Sequence, residues 1–478
     1  LKPSKLTTFF YQKATLFCIP LLIMITFQIV GFDGLYGQDA YEYLRYSNAI
    51  QEYMTDGVHP GTYYWPVLYP TLGSLLGFSF GSTAFALQLI SCLSFSIASV
   101  YILKTIRIVY PKAALRFLYV LLFVVFCPFL LKMGLIVMSD ALALVFVVLS
   151  VYFFFKSYYK NTNLAPIFIF ATCALMTRYA SLFITFPIVV YSLMLVWKRK
   201  QFLQLITAVF LSAIVSIPFI IFQWGALFEA TANPFLQTWS VGNYFKTSFT
   251  TQDGSANYTL PNLIHALSVF FHPGFLFLGS ILSVISLRNY RLLFTFPQKL
   301  LFVCIGLYLL FLAGIPFQNP RITGLVFPLV LLLLFPAFVR LMKFDFLKRF
   351  RTPFVISAIV LQLVFFVMTF QLIFTRAITE KELAAMIQPY EGTTLYSFDV
   401  DLAMKGRGLD FEYKNMYLER YENFQANDLV LFDAARYQTQ WKDKNPMLNW
   451  NFIVQNYQLK TLENHPKGWK LYQIQAKK

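Results

Sequence analysis

The chain has 478 residues, of which 58% are hydrophobic, 19% aromatic and only 13% charged. A soluble domain carries about 25% charged residues, so this composition excludes an ordinary soluble protein and points to one embedded in a membrane. The net charge of +17 does not imply nucleic acid, because the Lys and Arg residues fall in short clusters between apolar runs, as in the cytoplasmic loops of multispanning proteins.

Runs long enough to cross a bilayer, about 17–25 residues each, fall near 14–32, 83–103, 114–131, 137–155, 163–177, 180–197, 203–222, 263–287, 299–316, 322–341 and 353–375. That predicts eleven spans. The basic, apolar N-terminus has no small-residue cleavage site after it and reads as a retained first span. The cysteines Cys18, Cys92, Cys127, Cys173 and Cys304 all lie in apolar segments without CxxC spacing and read as small core residues.

Charge sets the orientation. With the N-terminus cytoplasmic, the inside segments carry twenty basic residues and one acid, Asp345, whereas the outside loops carry five basic residues and eight acids. Glu229 and Asp253 are among those acids, and Lys2 and Arg291 among the inside cations. The positive-inside rule selects this arrangement. An odd number of spans then places the C-terminus outside the cytoplasm. Two outside loops are long, about 33–82 and 223–262, and long loops on one face concentrate function.

From about residue 376 the chain becomes charged and soluble in character. LAAMIQPY reads as a helix end, and TTLYSFDV, LDFEYKNMYL, DLVLFDA, YQLKTLE and WKLYQIQ read as strands. The expected architecture is a polytopic α-helical membrane domain, 1–375, followed by a small extracytoplasmic α/β domain, 376–478. The tail has no Gly-rich phosphate loop and no His/Cys cluster, so its expected role is binding or packing.

The first outside loop opens GFDGLYGQDAYEYLRYSNAI. Tyr43, Tyr46, Ile50 and Tyr53 recur at helical spacing, which fits an amphipathic helix along the interface. Asp39 stands at its start. One reading makes it a helix N-cap; the other makes it a proton acceptor, and the two are compatible. Trp65, Pro66, Tyr69 and Pro70 then form a rigid aromatic stretch, either interfacial anchors or a wall against a sugar ring or lipid chain. Asp140, Arg178 and Arg321 sit at the outer ends of later spans. Charges at membrane depth are paired or functional; these can be a structural ion pair, or arginines that hold a phosphate near a proton acceptor. Lys132 is a further phosphate contact to consider. His59, His265 and His272 show no metal-binding spacing.

These segments, GQDAYEYLRYSNAI, WPVLYP, MSDALALVF, TRYASLF and QNPRITGLVFPLVLLL, together resemble the GT-C superfamily of glycosyltransferases that use polyprenyl-phosphate sugars. The resemblance is to the protein O-mannosyltransferase and lipid A aminoarabinose transferase group, along most of residues 1–375. It implies a GT-C-like fold of about 11 transmembrane helices, a catalytic Asp at Asp39, and a donor phosphate held by Arg178 and Arg321. Tyr43, Trp65, Tyr69, Asp140 and Lys132 complete the expected substrate-binding set. The partners implied are a polyprenyl-phosphate-linked sugar, a glycan, lipid or protein acceptor, and the inner-membrane lipid. The sequence departs from the group where an Asp-Glu pair is usual, since Asp39 is followed by Ala40, and the Lys-Pro-Pro segment of the aminoarabinose transferases is replaced by YYWPVLYP. A monophosphate leaving group predicts no obligatory metal. The alternatives are a lipid-linked sugar flippase or other transporter, which would favour internal repeats and broken helices, and a non-catalytic membrane protein whose tail binds a partner.

Overall fold

The computed structural model describes residues 5–224, 237–251, 254–289 and 295–478. Lys2, Glu229, Asp253 and Arg291, counted above in the charge pattern, lie outside the described residues. The chain divides into two compact units: residues 1–34, 46–245 and 261–371 form the first, and 35–45, 246–260 and 372–478 the second.

The first unit is helical and multispanning. Among the described residues, six helices are long and apolar enough to cross a membrane, and up to nine spans result if each of three bent pairs counts as one. Two further apolar helices, Ala165–Leu175 and Phe327–Leu341, are shorter. All eleven expected apolar segments therefore fall on helices, but only six are full-length unbroken ones. The bends have local causes. Arg116–Val125 and Pro128–Leu135 meet at 65°; Cys127 is extended (ψ 108°), as a residue before proline must be. Phe202–Val215 and Ile217–Gln223 meet at 40°, with Pro218 in the first turn of the second half. Asn262–Phe275 and Gly279–Arg288 meet at 114°, turning through Leu276 and Phe277, both in left-handed conformation. Broken backbone in a membrane needs new hydrogen-bond partners, and Gln362 Nε2 donates to Leu122 O at 3.1 Å and Gly274 O at 3.2 Å.

The centre of this unit is the pair α4 (Thr83–Val109) and α7 (Asp140–Lys160). The buried face of α4 is built from small side chains, Ala86, Ser91, Cys92, Ser94, Ala98 and Ser99 among them, which lets helices approach closely in a lipid environment. The two helices run in the same direction: Ser91 Oγ donates to Met138 O at 3.0 Å near one end, and Tyr101 meets Tyr152 edge-on at 4.9 Å towards the other. Ser82 caps α4 by accepting from Phe85 N at 3.3 Å.

In the second unit, a five-stranded mixed sheet has the order β4-β3-β5-β7-β6. Its strands are β3 (Thr394–Ser397), β4 (Glu412–Asn415), β5 (Leu429–Phe432), β6 (Tyr457–Asn464) and β7 (Lys470–Lys477). β3 runs parallel to β4 and β5; β7 runs antiparallel to β5 and β6. All four residues of β5 are buried, as expected of a central strand that reads as an unbroken apolar run. Every expected strand is present. The helix Asn445–Asn456 was not foreseen; it is held by Asn449, whose amide donates to Met416 O and Glu419 O at 2.9 and 2.7 Å. The unit also takes in the antiparallel pair β1 (Ser248–Thr251) and β2 (Gly254–Asn257), where Ser255 N donates to Gln440 O at 3.1 Å.

Candidate functional site

In the first unit the charged residues converge on Asp140. It opens α7 and is wholly buried, at a helix N-terminus that favours a carboxylate. Arg178 Nη1 pairs with its Oδ1, and Arg321 Nε donates to Oδ2 at 2.7 Å. Arg178 lies in the turn between α8 (Ala165–Leu175) and α9 (Ser181–Arg199); its carbonyl accepts from Ser181 Oγ at 2.7 Å. Arg321 stands in the short 3₁₀ turn Pro320–Leu325, capped by Asn319, whose side chain accepts from Arg321 N at 3.0 Å. Lys132 lies within electrostatic reach of both Asp140 and Arg321. One carboxylate thus faces three cations, so the cluster keeps a net positive charge. The arginine side chains are 20% and 23% exposed, which leaves them reachable. Such an arrangement can hold an anion by charge-assisted hydrogen bonds.

The aromatic stretch is also positioned by specific bonds. Gln223 Nε2 donates to Tyr63 O at 2.9 Å and Trp65 O at 2.8 Å. Tyr63 stacks on Tyr46 with centroids 4.0 Å apart, and Trp65 packs edge-on to Tyr63 at 5.8 Å. Trp65 is half-buried. Tyr69 is fully buried; its hydroxyl donates to Leu87 O, accepts from Met138 N at 3.0 Å and lies 2.8 Å from Ser91 Oγ. It is a packing post that ties α3 (Leu68–Phe80) to α4, rather than a side chain open to substrate.

Asp39 belongs to the second unit. Helix α2 runs Gly37–Asp56 with Asp39 in its first turn, so it lies just inside the helix rather than at the cap. Gly37 leads in at φ +71°, a left-handed conformation that glycine adopts without steric cost. Tyr43 is 2% exposed and belongs to the core.

The turn carrying Asp39 is anchored by a network that sequence reasoning missed. Tyr41, fully buried, donates from its hydroxyl to Glu380 Oε2 at 2.9 Å and accepts from Arg407 Nη2 at 2.6 Å. Glu380, 1% exposed, also accepts from Arg376 Nε at 2.5 Å. Arg376 continues to Asp399, donating to its Oδ2 at 2.9 Å and its carbonyl at 2.7 Å. Tyr437 donates to Asp399 Oδ2 at 3.0 Å; burial, and then the Asp399 charge, push this phenol above its ordinary range, so it remains a donor. The i,i+4 spacing of Arg376 and Glu380 was the available signal. Among the described residues no group of three His, Cys, Asp or Glu side chains gathers to hold a metal.

Two crystal structures of ArnT from Cupriavidus metallidurans superpose on this chain, one apo and one bound to undecaprenyl phosphate. The bound form gives a TM-score of 0.56 at 12% identity, and the apo form 0.57 at 11%; each alignment covers 95% of this chain and 97% of that one. The chain has the GT-C fold. The resemblance read from the sequence is borne out from a second direction: the profile described as dolichyl-phosphate-mannose-protein mannosyltransferase matches residues 66–260. No curated protein sequence matches the chain. Within the GT-C fold the profile match takes in Trp65's successor Pro66, Tyr69, Lys132, Asp140 and Arg178; Asp39 and Arg321 lie beyond it.

Proposed function

We propose that the protein is an inverting glycosyltransferase that moves a sugar from a polyprenyl-phosphate donor to an acceptor on the extracytoplasmic face of the inner membrane. The observation that carries this reading is the GT-C fold over nearly the whole chain, shared with a protein that binds undecaprenyl phosphate. Asp39 acts as general base. It takes the proton of an acceptor hydroxyl while that oxygen forms a bond to the anomeric carbon; the bond from that carbon to the phosphate oxygen breaks, and polyprenyl phosphate leaves. Backside attack inverts the anomeric configuration. Arg178, Arg321 and Lys132 hold the donor phosphate and offset the charge that grows on it as it departs, with Asp140 fixing the two guanidiniums. Trp65 supplies an aromatic surface for a sugar ring or lipid chain, and Tyr43 and Tyr69 support the walls. The N-terminus is cytoplasmic, and the tail 376–478 is extracytoplasmic. The eleven apolar helices form the membrane domain, 1–375.

Transfer is tested with purified protein in detergent, a synthetic polyprenyl-phosphate sugar, and mass spectrometry of glycolipids and glycoproteins from a deletion strain to supply the acceptor. Asp39→Asn should lower the turnover rate by about 10²–10⁴-fold with normal folding, and Arg321→Gln should raise the donor KM. Unchanged transfer by Asp39→Asn removes Asp39 as base. One observation favours a second reading: the three bent helix pairs are the kind of broken helix from which transporters build binding sites. A flippase would move the intact lipid-linked sugar across vesicle membranes without cleaving its sugar–phosphate bond, which the same mass spectra distinguish.

A further inference from the structure

At the end of α4 remote from Asp140 the first unit contains a second cationic site. Arg107 lies about sixteen residues beyond Ser91, or ~24 Å along the helix at ~1.5 Å per residue, and so belongs to the face that the loop charges assign to the cytoplasm. A cavity of about 530 Å³ opens there, lined by Phe9, Gln12, Arg107, Arg116, Phe117 and Arg351 among others, with no carboxylate among its described lining residues. Arg107 is held in place: its guanidinium lies 3.6 Å above the Phe9 ring and pairs with Gln12 Oε1. Its Nε is buried with no hydrogen-bond partner among the described residues. Arg116 is fixed by donating to Tyr110 O at 3.3 Å and Pro111 O at 2.9 Å. Lys13 and Lys104 lie within electrostatic reach of this group, and Arg107 and Arg116 of each other.

Topology alone does not require this geometry. Positive loop residues that only set orientation can splay into water, whereas here like charges are gathered around one hollow. Three guanidiniums around a cavity with no internal counter-charge match the several acceptor oxygens of a phosphate. The Phe9 and Phe117 walls add an apolar surface that suits a phosphate carried on a lipid.

We propose that this cavity is a phosphate-binding site on the cytoplasmic side, filled by the headgroup of an anionic phospholipid and separate from the donor site proposed above. The full-length protein in detergent is titrated with phosphatidylglycerol, with and without inorganic phosphate, and adducts are counted by native mass spectrometry. Arg351→Gln, at an exposed position that leaves packing intact, should lower occupancy about tenfold, the worth of one charge-assisted hydrogen bond. Arg116→Gln should act in the same direction. Lys198→Gln, in another cytoplasmic cluster, and Arg321→Gln, at the donor cluster, should leave it unchanged. Supported binding that inorganic phosphate cannot displace identifies a lipid-borne group; displacement at matched concentration identifies free phosphate in the same site. Wild-type occupancy in both Arg351→Gln and Arg116→Gln, or equal loss in Lys198→Gln or Arg321→Gln, overturns the site.

Discussion

Replacing Asp140 by Asn would leave Arg178 and Arg321 facing a neutral amide of the same shape. Nothing is lost in volume, so the effect isolates charge. Removing one member of a fully buried ion pair costs about 3–5 kcal/mol, because the partner is left desolvated. Here the carboxylate is 0% exposed, but the two arginine side chains retain 20% and 23% exposure, so solvent screens part of the penalty. Two cations lose their shared anion, which adds repulsion between them. The expected destabilisation is about 2–4 kcal/mol. Arg321→Gln should cost less, about 1–2 kcal/mol, since Asp140 keeps Arg178. The double variant should then fall short of the sum by at least about 1 kcal/mol, the mark of direct coupling. Equilibrium unfolding of the detergent-solubilised protein measures all three. A value for Asp140→Asn within about 0.5 kcal/mol of the wild type, the range of ordinary surface changes, would refute the account of a charge-linked cluster, as would strict additivity.

Tyr41→Phe removes a donor to Glu380 and an acceptor for Arg407; it should cost about 1–2 kcal/mol and, with Asp39 as the proposed base, lower kcat more than it raises KM, because the loss is in the placement of Asp39's turn. Equal changes in both constants would detach Tyr41 from that role. Burial raises the Asp401 carboxyl above 3.8, and the Asn415 hydrogen bond only partly offsets it. Native protein therefore binds the proton more tightly than the unfolded chain, so stability falls as pH rises from the unfolded value through the raised one, and the cost persists at neutral pH. Asp401→Asn should flatten this slope as pH rises above the ordinary carboxylate range in thermal unfolding curves; an unchanged slope contradicts the assignment. On the proposed mechanism transfer should survive chelation by EDTA, since a monophosphate leaving group held by arginines needs no bridging cation; loss of rate restored by added divalent metal would contradict this.

The helical membrane class, all eleven apolar segments and all five tail strands were legible because each rests on local patterning. The acid–arginine cluster was legible too: Asp140, Arg178 and Arg321 stand out against apolar surroundings, and a membrane leaves such charges few partners other than one another. Interruptions in the spans were only partly legible. Pro128 announces one of them through its restriction on the preceding residue and Pro218 another through its missing N–H, but Leu276 and Phe277 carry no sequence signal for a left-handed turn. The anchoring of Asp39's turn could not be read, because Tyr41, Glu380, Arg376, Asp399 and Arg407 are spread over more than three hundred positions and each looks ordinary alone. Tyr69 was misjudged for a related reason: an interfacial tyrosine and a buried tyrosine with a fully occupied hydroxyl look the same in sequence.

The pair of hydrogen bonds donated by Gln362 also carries a consequence for how the molecule is made. Its amide serves a carbonyl in each of two broken helices, at Leu122 and Gly274, yet it comes after both in the chain. While a ribosome is still synthesising the protein, those carbonyls cannot receive their bonds from this side chain. The two carbonyls are without these donors until the last long apolar helix is delivered and docks. Assembly of the membrane unit is then completed late, by a segment near its C-terminal end, and a chain cut short before residue 362 would reach the bilayer with both breaks still open.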